Sequence, residues 1–96
     1  MHNLVYIIGR LVKDFEIDES KKEQSITIAV QRMYKNEDGI YDTDFIPCKL
    51  NMALTNNASK YLHKGDLIGI KGVLEYRDSE LFVIIDKMSF LSSKKD

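Results

Sequence analysis

Alternation of apolar and polar residues marks two strands and a turn between Ser25 and Leu50. Ile26, Ile28 and Val30 share one side of the first strand, and Ile46, Cys48 and Leu50 share one side of the second. Phe45, Pro47, Lys49 and Asn51 fall on the opposite face, because successive side chains of a strand point to opposite sides. Lys35-Asn36-Glu37-Asp38-Gly39 forms the turn, with Asp38-Gly39 as its strongest hairpin signal. Before this hairpin, Leu4 to Lys13 is a near-continuous apolar run, which predicts a strand buried on much of both faces. Gly9 within it predicts a bend or bulge. Asp14 to Gln24 is dense in charge and predicts a solvated loop.

After the hairpin the period changes. Leu54, Ala58, Tyr61 and Leu62 fall at i, i+4, i+7 and i+8, the stripe of an amphipathic helix over Met52 to Lys64. Gly65 is its expected stop, and Asn51 or Thr55 its expected cap. Leu67 to Tyr76 and Leu81 to Leu91 predict two more strands, joined by Arg77-Asp78-Ser79-Glu80. Three strands, one helix and two strands in about a hundred residues predict an all-β fold with one helix, the five-stranded Greek-key barrel called the OB-fold, with the helix between strands 3 and 4. The barrel domain is expected over residues 1–91, followed by a disordered end over 92–96.

Composition narrows the functions that such a barrel can have. With 96 residues there is room for one domain, and 44% hydrophobic with 30% charged residues is ordinary for a soluble protein. A net charge of −1 excludes a generally basic coat of the kind that binds duplex DNA by charge alone. The single cysteine, Cys48, forms no internal disulfide and fits a reducing, cytoplasmic setting. The first apolar run is too short to span a membrane and has no cleavage site after it. His2 and His63 lie far apart with no Cys/His cluster, and the acidic loop lacks a partner base. No cofactor, metal site or catalytic role is therefore expected.

Aromatic rings beside cations on an exposed sheet suit single-stranded nucleic acid, whose bases stack on rings while its phosphates meet the cations. Phe45 reads as such a platform because its neighbour Ile46 takes the inward position. Tyr34 shares parity with Ile28 and Val30, so on pattern alone it is equally a residue of the barrel end. Lys49 joins Phe45 by alternation.

Ile26-Thr27-Ile28-Ala29-Val30-Gln31-Arg32, Tyr34, Gly39 and Thr43-Asp44-Phe45-Ile46-Pro47-Cys48 together resemble the bacterial single-stranded-DNA-binding proteins. So do Asn3-Leu4-Val5, Ile8-Gly9-Arg10-Leu11, Ala58 to Asp66, Gly72-Val73-Leu74 and Phe90-Leu91, so that the resemblance runs from Asn3 to Leu91. It implies stacking on Tyr34 and Phe45, phosphate contacts from Arg10, Arg32, Lys64 and Arg77, and a homo-oligomer, a tetramer or else a dimer, built on the apolar first strand. The implied function is sequence-tolerant binding and protection of single-stranded DNA in replication, recombination or repair.

Three features depart from the family. Asn51 stands where a third aromatic is usual. The loop between strands 4 and 5 shrinks to Arg77–Glu80, with Ser79 where a further ring would fall and Tyr76 close enough to substitute. Ser92-Ser93-Lys94-Lys95-Asp96 has the wrong length and charge for the acidic tip that recruits partners, so recruitment by that route is not expected of this chain unless it is truncated. Two other readings stay open: an accessory of replication restart resembling the primosomal protein of the same fold, and a barrel used only for protein–protein contact.

Overall fold

A computed structural model describes residues 1–93. Among these, five strands and one helix follow in chain order: β1 (Val5–Leu11), β2 (Glu23–Lys35), β3 (Tyr41–Asn51), α1 (Met52–Ala58), β4 (Leu67–Arg77) and β5 (Glu80–Ser92). The strands close into a barrel in the order β1-β2-β3-β5-β4, and β4 returns to β1. All neighbours are antiparallel except β3 and β5, which run parallel. This is the expected five-stranded barrel with its helix between the third and fourth strands. Ser92 closes β5, and the expected disordered end otherwise lies largely outside the described residues.

The core is the inward row of each strand. Leu11, Ile26, Ile28, Cys48, Leu50, Ile68, Ile70, Val83 and Ile85 are all buried, and Ala58 and Leu62 pack against them. Burial pushes the Cys48 thiol up to about 12, which leaves it a small, unreactive core residue.

Several expectations needed correction. β1 is not buried on both faces: Tyr6 and Ile8, like Leu4 just before the strand, are exposed, while Gly9 and Leu11 are buried. Gly9 makes no bulge, since β1 keeps one unbroken register with β4. Its lack of a side chain serves close approach instead, because a Cβ there would lie 2.5 Å from the Ala29 carbonyl oxygen. The acidic loop is anchored as well as solvated. Gln24 is buried as part of β2, and its side chain donates to the carbonyls of Asp18 (2.7 Å) and Lys21 (2.8 Å) while accepting from Asp18 N–H (2.8 Å).

The helix ends after Ala58 rather than at Lys64. Leu54 and Leu62 still pack on the barrel, but Tyr61, beyond the helix, is exposed. Asn51 is the cap: its Oδ1 accepts from Leu54 N–H at 2.7 Å, while the Thr55 hydroxyl donates back to the Asn51 carbonyl at 2.8 Å. Gly65, at φ 90, sits in the following loop, where its N–H bonds the Leu11 carbonyl at 2.8 Å.

Two substitutions separate these constraints by thermal denaturation. Asn51→Ala removes a cap and is expected to cost about 1 kcal/mol. Gly72→Ala would set a Cβ 2.0 Å from the backbone oxygen of Ile84, where β5 already bulges, so its cost is expected to exceed that of the cap. A Gly72→Ala protein as stable as the parent would contradict this packing.

Candidate nucleic-acid interface

The register of β1, β2 and β3 builds the outer face row by row. Arg10 pairs with Ala29, and Ala29 pairs with Phe45. All three belong to the outward set, and the small Ala29 leaves an open lane between the guanidinium and the ring. Thr27 opposite Pro47 and Ser25 opposite Lys49 continue the face toward the end of β3. Phe45 is 64% exposed beside inward-facing Ile46, so it is a surface ring rather than a core ring.

Tyr34 lies where the ladder is irregular. Gln31 pairs with Thr43 and Lys35 with Tyr41, so three residues of β2 oppose only Asp42 on β3. Simple parity therefore does not place Tyr34, which is 65% exposed. The turn beyond is organised by Asn36, whose Oδ1 accepts from Asp38 N–H (2.9 Å) and Ile40 N–H (3.0 Å), with Gly39 at φ 77.

The cations divide into two groups. Arg32 donates two hydrogen bonds to Asp44, at 3.0 and 2.9 Å, and lies 3.8 Å from Asp42. Arg77 grips Glu23 through both terminal nitrogens, at 2.6 and 3.0 Å, and donates to Glu75 at 2.6 Å. These pairs hold the Asp44 and Glu23 carboxyls below their ordinary range and keep both arginines protonated. Their positive charge is therefore largely spent within the protein.

The second group keeps its charge. Arg10 donates to a neutral acceptor, the Gly65 carbonyl, at 2.9 Å. Lys49 donates to the Ser25 hydroxyl at 2.8 Å. The ammonium of Lys64 has no side-chain partner among the described residues, although its backbone N–H bonds Asp14 at 2.7 Å.

Tyr76 is 70% exposed near the tip of the β4–β5 hairpin, opposite Leu81. The tip is a two-residue turn with Asp78 at φ 49 and Ser79 at φ 66, a left-handed pair that matches the twist of the ribbon. By the pleat, Tyr76 lies on the other side of the ribbon from Glu75 and its partner Phe82. Phe82 escaped the sequence reading. Its ring lies under the Lys49 ammonium, 4.8 Å from Nζ to the centroid. The available signal was its alternation with Val83, but its neighbour across the sheet, β3, is more than thirty residues away in the chain.

A family model described as the single-strand binding protein family matches residues 2–81. The chain belongs to that family. It is similar to the single-stranded DNA-binding protein 1 of Streptococcus pyogenes, 39% identical over 83% of this chain and 64% of the relative. The protein of the same name in Lactococcus lactis is 36% identical over 83% of this chain and 55% of the relative. The chain thus spans less than two thirds of the length of these relatives. A crystal structure of a small single-stranded DNA-binding protein from Streptomyces coelicolor superposes with a TM-score of 0.70, covering 94% of both chains at 18% identity, which supports the fold.

The Glu23–Arg77 pair makes a pH prediction. Arg77 lowers the Glu23 pKa from its ordinary 4.5, so the pair's contribution is present above that value and is lost as pH falls through the lower, folded value. Both side chains are more than a third exposed, so the contribution is expected to be small. Acid melting curves below pH 4.5 should fall more steeply for the parent than for Glu23→Gln; parallel curves would show that the pair adds no stability.

Proposed function

We propose that this chain binds single-stranded DNA with little sequence preference, using the outer face of β2 and β3. The observation that carries the reading is the row Arg10–Ala29–Phe45, an exposed ring and an unneutralised cation on one continuous face. Family membership and the relatives' names support the ligand. Bases stack on Phe45 and Tyr34, with Tyr76 reached only by strand that passes the hairpin tip. Phosphates meet Arg10, Lys49 and Lys64 first, while Arg32 and Arg77 take part only by releasing their carboxylates. Protection of exposed strands during replication, recombination or repair belongs to the same proposal, as does a cytoplasmic setting. Among the described residues, no helix is long and apolar enough to cross a membrane.

The exposed row Leu4, Tyr6 and Ile8 supports a homo-oligomer built on β1, a tetramer or else a dimer. Sedimentation at micromolar concentration is expected to show a multiple of the chain mass, and a monomer alone would count against that assembly.

Titration with an oligo-dT strand tests the ligand: saturable binding at low salt is expected, and none would refute the proposal. The salt dependence then distinguishes the two groups of cations. Each neutralised phosphate contributes about −0.7 to the slope of log K against log salt, so three cations give about −2 per subunit and five about −3.5. The shallower slope is expected. Phe45→Ala should lose about 1–3 kcal/mol of binding with an unchanged melting temperature; a large loss of stability would make Phe45 a core residue instead.

A further inference from the structure

Phe82 and Lys49 stand together on the outer face, beyond Phe45 toward the end of β3. Val83 is 3% exposed, so the pleat turns the adjacent Phe82 outward, and its side chain is only partly covered. Lys49 faces outward between buried Cys48 and Leu50, on the same face as Phe45 and about 13 Å farther along the strand. Its ammonium lies 4.8 Å from the Phe82 centroid and bonds the Ser25 hydroxyl. Glu23 lies within electrostatic reach of Lys49, but the side-chain hydrogen bonds of Glu23 and Glu75, the carboxylates of this corner, go to Arg77 rather than to the ammonium.

We propose that Phe82 and Lys49 form a further subsite for one nucleotide of single-stranded DNA, the base stacking on the ring and the phosphate meeting the ammonium. This rests on the DNA-binding reading of the outer face. On binding, Lys49 exchanges its contacts with the ring and the Ser25 hydroxyl for a phosphate oxygen, leaving the ring face to the base. The subsite sits on β5 beside β3, displaced from Asn51, whose side chain is held by the helix cap. It lengthens the path that starts at Phe45 without needing a long β4–β5 arm.

The chain contains no tryptophan, so Phe82→Trp introduces a single indole fluorophore. Titration of that variant with 5′-fluorescein-labelled oligo-dT, followed by anisotropy and by indole emission on unlabelled oligo-dT, is expected to show saturable quenching with the midpoint of the anisotropy curve. Phe82→Leu keeps an apolar side chain without the ring and is expected to bind about 5- to 150-fold more weakly at an unchanged melting temperature. If anisotropy shows binding while the indole stays silent, or if the leucine variant binds as the parent does, the subsite is overturned and the wider DNA-binding proposal stands. If the parent gives no anisotropy change at low salt, the wider proposal fails and the subsite fails with it. A leucine variant that does not fold leaves the indole titration to decide.

Discussion

Cys48 and Leu50 are each 1% exposed, and their burial fixes the pleat of the strand between two different partners. β3 pairs with β2 along most of its length and with β5 through Cys48 opposite Val83 and Lys49 opposite Ile84. A one-residue slip would turn this polar face into the barrel and the apolar face out. Burial of two side chains thereby determines where Phe45, Pro47 and Lys49 point. The same strand ends at Asn51, whose side chain caps the helix, so the outer face and the start of the helix share one register.

The electrostatics depend on the same geometry. Val30 opposes Asp44, and the irregular stretch that follows brings Arg32 back onto that carboxylate. Glu23, the first residue of β2, meets Arg77 at the far end of β4. Both arginines are used to join elements of the barrel. Of the five cations predicted on the outer face, Arg10, Lys49 and Lys64 are left without a carboxylate hydrogen-bonded to the side chain among the described residues. A chain with net charge −1 therefore presents rings on a nearly neutral surface rather than a basic field.

The parts legible in the sequence were those set by local period. Alternation placed the Ser25–Leu50 hairpin and separated Phe45 from Ile46, and the order of elements was enough for the barrel. The helix was overextended because Tyr61 and Leu62 continue its stripe, although the regular helix ends at Ala58, followed by a few turn residues, and of those two only Leu62 is buried. β1 was misjudged because an unbroken apolar run reads the same whether its second face meets the core or stays open. The Arg32–Asp44 and Arg77–Glu23 pairs and the Lys49–Phe82 contact join residues 12 to 54 positions apart, through an irregular ladder or across strands that are not consecutive. Period carries no information about such partners.

The balance of rings and cations also bears on which form of DNA the outer face favours. Duplex DNA hides its base faces in its own stack and offers a protein chiefly its phosphates, whose attraction grows with the number of cations they meet. Here the two bidentate arginines would have to abandon carboxylates to contribute, exchanging one ion pair for another with little net gain. A single strand offers unpaired base faces instead, and each stack is worth about 1–3 kcal/mol whatever the base. With Phe45 and Tyr34 exposed and Phe82 beside Lys49, most of the binding energy of the proposed interface would lie in stacking, which a duplex cannot use. Under the proposed function, selectivity for single strands would follow from internal pairing of the arginines as much as from the presence of the rings.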